Sequence, residues 1–124
     1  VSFRGAHNQE SYMRIAEQYG VSDYVEFLDS CSYLDSLKEM FTADALLLLQ
    51  GHEFDVQIPG KAYEYLRAKK PILALTSNNG ATKKLLHTVN HACIADIDDA
   101  DEICKKLAEL SNLSVDSNFD YEKY

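Results

Sequence analysis

The residues of this 124-residue chain best suited to chemistry lie between positions 57 and 66, in the run Gln57-Ile58-Pro59-Gly60-Lys61-Ala62-Tyr63-Glu64-Tyr65-Leu66. Pro59 and Gly60 at a helix start leave the first-turn N–H groups uncommitted, and a glycine there lets an anion approach the backbone closely. Lys61 adds a positive charge at the same point, so the segment can cradle a diphosphate without a Walker lysine motif. Glu64 follows Lys61 at i,i+3 and shares its helix face. A carboxylate in that position can accept two hydrogen bonds from a ribose diol. The same spacing fits a surface ion pair on an ordinary helix, worth under about 1 kcal/mol, and spacing alone leaves both readings open.

Charge sets the wider field. Twenty Asp and Glu against twelve Lys and Arg give a net charge of -8, which argues against a nucleic-acid partner. Yet residues 61–84 carry six bases (Lys61, Arg67, Lys69, Lys70, Lys83, Lys84) and one acid, Glu64, a local +5 that leaves -13 elsewhere. A local anion site fits such a segment, as does a solvated helix face. Cys31, Cys93 and Cys104 are widely spaced and lack a His at metal-ligand spacing, so no metal and no cofactor are expected. They read as small buried residues of a reducing compartment, with Cys31, in a loop, the least certain. The longest apolar run, residues 45–49, is far short of the ~20 a membrane span needs. With no targeting signal at the N-terminus, a cytoplasmic location is expected.

The elements that must position these residues follow from periodicity. Residues 1–3 read as a short strand ended by Gly5, and its abrupt start predicts that Val1 is a cut point with chain upstream. Asn8 caps a helix to about Tyr19, with Tyr12, Ile15, Ala16 and Tyr19 on one face and Gly20 as its stop. A strand over 25–28, a loop over 29–32 and a helix to about Phe41 follow. Residues 45–49 lack polar alternation, as in a strand buried on both faces. The ten residues 50–59 have no periodicity and read as a functional loop. A helix over 60–68 is stopped by Pro71; then come a strand over 72–75, a turn, a helix to about Val89, a strand over 92–95, and a helix opened by the acids of 96–102 and running to about Leu110. Residues 121–124 read as the start of a further helix. Alternating strands and helices with long connections predict one α/β domain, an open parallel sheet with helices on both faces. Ligands bind such sheets at the carboxyl ends of the strands, here the loops 5–9, 29–32, 50–59 and 76–80.

The run from Pro59 through Pro71-Ile72-Leu73-Ala74 resembles the donor-site segment of the group 1, family-four retaining glycosyltransferases. Tyr24-Val25-Glu26-Phe27-Leu28 is similar to their V-x-F-L-G strand, and Ala43-Asp44-Ala45-Leu46-Leu47 to their A-D-x-x-L-L-P strand. Order and spacing of all three agree over about residues 2–110. The resemblance implies a Rossmann-like fold, the C-terminal, donor-binding half of a GT-B enzyme that transfers a sugar from a nucleotide-sugar to a glycan, lipid or other acceptor, generally without a bound metal. It implies that Glu64 binds the donor ribose and that Pro59, Gly60 and Lys61 hold the diphosphate. It further implies that Asp29, Ser30 and Cys31 pack on the base and that residues 50–59 face the sugar. The acceptor domain and the first strand-helix unit would lie upstream of Val1, so the chain alone is expected to be inactive, and the intact enzyme could dock peripherally on the inner face of a membrane.

Two departures bear on catalysis. The family's E-x7-E pattern puts its first acid at position 56, which is Val56 here; Glu53 and Asp55 are the candidate sugar-facing acids nearby. Asp29 stands where the family has glycine. His52 either bonds donor-sugar hydroxyls or is a plain loop histidine, and Arg4, with Gly5 at the first strand's end, either approaches a phosphate or lies on the surface. His87 and His91, flanking a helix end, would favour its dipole. Lys69 and Lys70 are expected in solvent, Lys83 and Lys84 nearer the 76–80 loop, and Tyr63 and Tyr65 in packing. The alternatives are a non-catalytic Rossmann-like nucleotide-binding or regulatory module, which Val56 favours, and an epimerase-type sugar-phosphate isomerase, which the Lys61 to Glu64 segment disfavours.

Overall fold

The computed structural model describes residues 1–115 and Asp120. The helix expected over 121–124 lies outside the described residues. The chain folds as two compact units, residues 1–38 and residues 39 onward. Among the described residues no helix is long and apolar enough to cross a membrane.

In the first unit β1 (Ser2–Arg4) and β2 (Glu26–Leu28) pair in parallel, Phe3 opposite Phe27. Between them run α1 (Gln9–Gln18) and a 3-10 turn, Ser22–Tyr24, that shortens the expected strand by one residue. Gly5 ends β1 in the left-handed region at φ 70°, its N–H donating to Leu28 O at 2.8 Å. Asn8 does precede α1, but at φ 58° and without a side-chain cap bond. The rings of Phe3 and Tyr12 both stack on Phe27, at 5.3 and 5.8 Å. The expected apolar face of α1 is only partly covered: Ala16 is buried, whereas Tyr12 and Ile15 are half exposed and Tyr19 largely so. A ladder of two three-residue strands offers little surface to cover a ten-residue helix. α2 (Tyr33–Thr42) is opened by Ser32, whose Oγ accepts from Asp35 N at 3.2 Å and donates to Asp35 Oδ2 at 2.7 Å, a side-chain cap of the kind that satisfies first-turn donors.

The second unit is α/β, with a small open parallel sheet of Rossmann-like type. β3 (Leu46–Leu49), β4 (Ile72–Leu75) and β5 (Ala92–Ala95) lie in chain order, with Leu48, Ala74 and Ile94 in register. These residues and Ile72 form the core with Ala62 and Leu66 of α3 (Gly60–Ala68) and Leu86 of α4 (Ala81–Leu86). α5 (Ala100–Leu110) packs on β5 and β4 from the opposite side, where Lys106 and Glu109 come near Cys93. The sheet therefore carries helices on both faces. Coverage of β3 is incomplete, however: Leu46 and Leu48 are buried, Leu47 is intermediate and Leu49 is half exposed, because α5 lies over β4 and β5. The expectation of a strand buried on both faces fails there.

Boundaries elsewhere follow local chemistry. Lys69 closes α3 in the left-handed region at φ 55°, two residues before Pro71. The expected α4 stops three residues early, at Leu86. The acids of 96–99 form a loop rather than helix, and Asp99 caps α5 by accepting from Glu102 N at 2.9 Å. Cys93 is buried as expected, and burial pushes its thiol pKa up; Cys104 and Cys31 are exposed, since α5 presents Cys104 away from the sheet. His91 also corrects its reading. It is fully buried beside the start of β5, and burial lowers its pKa, opposing the charged form that a helix dipole would favour.

Candidate functional site

The carboxyl edge of β1 and β2 gathers five of the expected residues, Arg4, Gly5, Asp29, Ser30 and Cys31. Arg4 Nη1 donates to Asp29 O at 2.8 Å, so its guanidinium lies along the loop that follows β2. Gly5 sits beside Ser30, whose Cβ a side chain on Gly5 would approach to 3.6 Å. Gln9 Nε2 donates to Leu28 O at 3.2 Å, adding a tie that the sequence did not suggest. Cys31 is exposed on the same loop. Asp29 is engaged here through its backbone carbonyl.

In the second unit Pro59 adopts extended geometry (φ -67°, ψ 144°) and Gly60 opens α3, whose nine residues begin at the carboxyl edge of the sheet. The first N–H groups of a helix have no intrahelical acceptor and carry its positive dipole end. A Cβ on Gly60 would meet no atom within 4 Å, so the approach to this turn is open. Lys61 Nζ donates to Glu64 Oε2 at 2.8 Å, with the Glu64 side chain about one-third exposed. Both readings of this pair thus share one geometry, an ion pair on the face of the first turns of α3. Tyr65 packs against the core with its hydroxyl donating to Leu47 O at 3.4 Å, and burial raises its pKa.

The loop 50–59 is organised by Gln50, which sequence reasoning passed over. Its side chain is buried, donating from Nε2 to Phe54 O at 2.8 Å and Gln57 O at 2.9 Å and accepting from Thr76 Oγ1 at 3.3 Å. The available signal was its place, a polar residue ending a wholly apolar strand. Buried Thr82 adds a bond to Gln57 O at 3.3 Å. Within this loop Val56 is 88% exposed, Glu53 is exposed with its carboxylate folded over Gly51, and Asp55 turns inward. Asp55 Oδ1 is buried without a hydrogen-bond partner, while Asp55 O accepts from Ala81 N at 2.7 Å. The two candidate acids therefore differ: Glu53 is exposed, while Asp55 is partly buried with its Oδ1 shielded from solvent.

His52 is not a plain loop histidine. Its Nε2 lies 2.8 Å from Asp98 Oδ2 and 3.8 Å from Asp96 Oδ1, and the Asp98 hydrogen bond, with the charges of Asp98, Asp96 and Asp55, raises its pKa. Next along the edge, Asn78 Nδ2 donates to Asp96 Oδ2 at 3.0 Å, and Lys83 Nζ donates to Asn78 Oδ1. Lys83 thus reaches the 76–80 loop as expected. Lys69 lies at the far end of α3 from the Gly60 turn. Among the described residues His52, Asp96 and Asp98 are the His, Cys and acid side chains placed to share a metal ion, and the sequence hid them because they come from separate loops. Comparison with known proteins gives no match: no family model, no curated protein and no solved structure aligns with the chain.

Proposed function

We propose that this chain is a nucleotide-sugar donor-binding domain of a retaining glycosyltransferase of the GT-B type. The observation that carries the reading is the start of α3, where Pro59-Gly60-Lys61 and the Glu64 carboxylate meet at the open carboxyl edge of a parallel sheet. In this reading the donor diphosphate sits on the first-turn N–H groups with Lys61, and Glu64 accepts from the ribose hydroxyls. The second unit then contributes charge stabilisation of the departing diphosphate as the glycosidic bond breaks. Lys61 serves twice, orienting Glu64 before binding and meeting the phosphates after it. An acceptor-binding domain would supply the opposite wall, and the chain alone transfers no sugar.

A specific observation favours a second reading, a nucleotide-binding or regulatory module without transfer chemistry. Val56 is 88% exposed where the family places an acid, and the neighbouring Asp55 has its Oδ1 buried. Titration with UDP, GDP and ADP, followed by calorimetry or NMR, tests what both readings share. One of the three is expected to bind, and Glu64→Ala to weaken it by about 1.5–3 kcal/mol, the cost of one charged hydrogen-bonding partner. Absence of binding by all three to the folded chain removes the donor-site reading. Donor hydrolysis or transfer by the chain joined to an acceptor domain separates the first reading from the second.

A further inference from the structure

The acidic edge of the second unit holds a cluster that nucleotide binding does not use. His52 belongs to the 3-10 turn His52–Phe54 after β3, whereas Asp96 and Asp98 follow β5. Those strands flank β4, so their axes lie roughly 9.5 Å apart. The loops nevertheless converge until one ligand atom from each of the three side chains lies within 4.8 Å of the others. A divalent ion held at about 2.1 Å by imidazole and carboxylate sets neighbouring ligand atoms roughly 3.0 Å apart in octahedral and 3.4 Å apart in tetrahedral geometry. The His52 separations of 2.8 and 3.8 Å bracket these values.

The support around the trio is built as metal sites require, with carboxylates fixed from outside. Asp96 is the anchor, its side chain only 19% exposed. Asn78 Nδ2 donates to its Oδ2 and Asp98 N to its Oδ1, both at 3.0 Å, while its own N–H donates to Glu102 Oε2 at 2.7 Å. His52 and Asp98 are open to solvent, leaving coordination positions for water or a substrate oxygen. Charge points the same way. Asp96 and Asp98 both bring carboxylate oxygens to the one imidazole. A dication would balance the two carboxylates.

We propose that His52, Asp96 and Asp98 form an open, three-ligand site for a divalent first-row transition-metal ion at the carboxyl edge of β3 and β5. One imidazole nitrogen and two carboxylate oxygens are a donor set suited to Mn2+ and Zn2+. The site stands whether or not the Gly60 turn binds a nucleotide.

The test is a Mn2+ titration of the full chain, without nucleotide, followed by paramagnetic broadening in amide NMR spectra. Broadening is expected to centre on residues 51–53 and 96–98. His52→Gln and Asp98→Ala should each weaken Mn2+ binding about tenfold or more, and Asp101→Asn, an acid of the first turn of α5 outside the trio, should leave it unchanged. Spectra of the variants away from these loops report that they fold. Broadening centred elsewhere, or undiminished in folded His52→Gln, would reduce the edge to a counterion atmosphere and overturn the site. So would the absence of broadening at millimolar Mn2+.

Discussion

The two units repeat one theme, a strand followed by a helix followed by a parallel strand, yet they are held together differently. In the first, three-residue strands meet one another through stacked rings, and Ala16 is the one buried apolar residue among those described. In the second, three strands of four residues bury Leu48, Ile72, Ala74 and Ile94 beneath two helices. Their carboxyl edges differ in parallel. The first is tied by backbone groups and one guanidinium, the second by a side-chain network running from Gln50 through Thr76 and from Lys83 through Asn78 to Asp96. A third strand with a helix over it is what converts a stack of rings into a core, and only a core gives an edge rigid enough to hold charged groups in fixed positions.

The sharpest way to break this contrast is to delete side chains from matching helices. Leu66, fully buried between α3 and the sheet, should cost the second unit about 2–5 kcal/mol when replaced by alanine. Ile15→Ala, at a half-exposed position of α1, should cost under about 1 kcal/mol. Hydrogen exchange at the amides of Leu73, Ala74 and Ile94 reads the first, and that at Phe3 and Phe27 the second. Equal losses of protection would mean that burial does not distinguish the two units.

Next in size comes His91, a buried base in the better-packed unit. Burial lowers its pKa in the folded state, so as pH falls through the unfolded value of about 6.5 the unfolded chain takes up a proton that the folded chain refuses. Stability from this group is therefore complete above about pH 6.5 and falls on acidification until the folded pKa is reached, by about 1.4 kcal/mol per unit of displacement. Urea unfolding at pH 5 and pH 8 should show a smaller acid loss for His91→Gln than for the parent chain. Identical losses would show that other groups account for the acid limb.

How much of this was legible in the sequence depends on whether the determinant is local. The β4 and β5 boundaries, the Pro59-Gly60 start of α3 and the Pro71 stop were readable because apolar runs and the dihedral limits of proline and glycine act within a few residues. The half-exposed Leu49 was not, since it depends on where α5 settles across the sheet. Nor were the burial of His91 and the convergence of His52 with Asp96 and Asp98, which only the parallel registry of strands far apart in sequence brings about. Lys61 and Glu64 lay between these cases: i,i+3 spacing put them on one face and left open the ion pair, found at 2.8 Å, and the ligand site, which is a matter for titration.

The smallest expected effects come from two glycines, one at each edge, and they separate what the fold needs from what a ligand would need. Gly5 holds φ 70°, a conformation that an L side chain resists, while its added Cβ would make only an ordinary 3.6 Å contact with Ser30 Cβ. Gly5→Ala should therefore cost about 1 kcal/mol, nearly all of it backbone strain. Gly60 has no positive φ and open space around it. Alanine is the better helix former, so Gly60→Ala should leave thermal stability within about 0.5 kcal/mol of the parent or slightly above it. A methyl group on that turn would still stand in the path of an anion approaching the first N–H groups. Unchanged stability with weakened binding of whichever nucleotide the parent binds would assign Gly60 to the ligand. Loss of stability by more than about 1 kcal/mol would assign it to the fold, and the diphosphate cradle would lose its glycine argument.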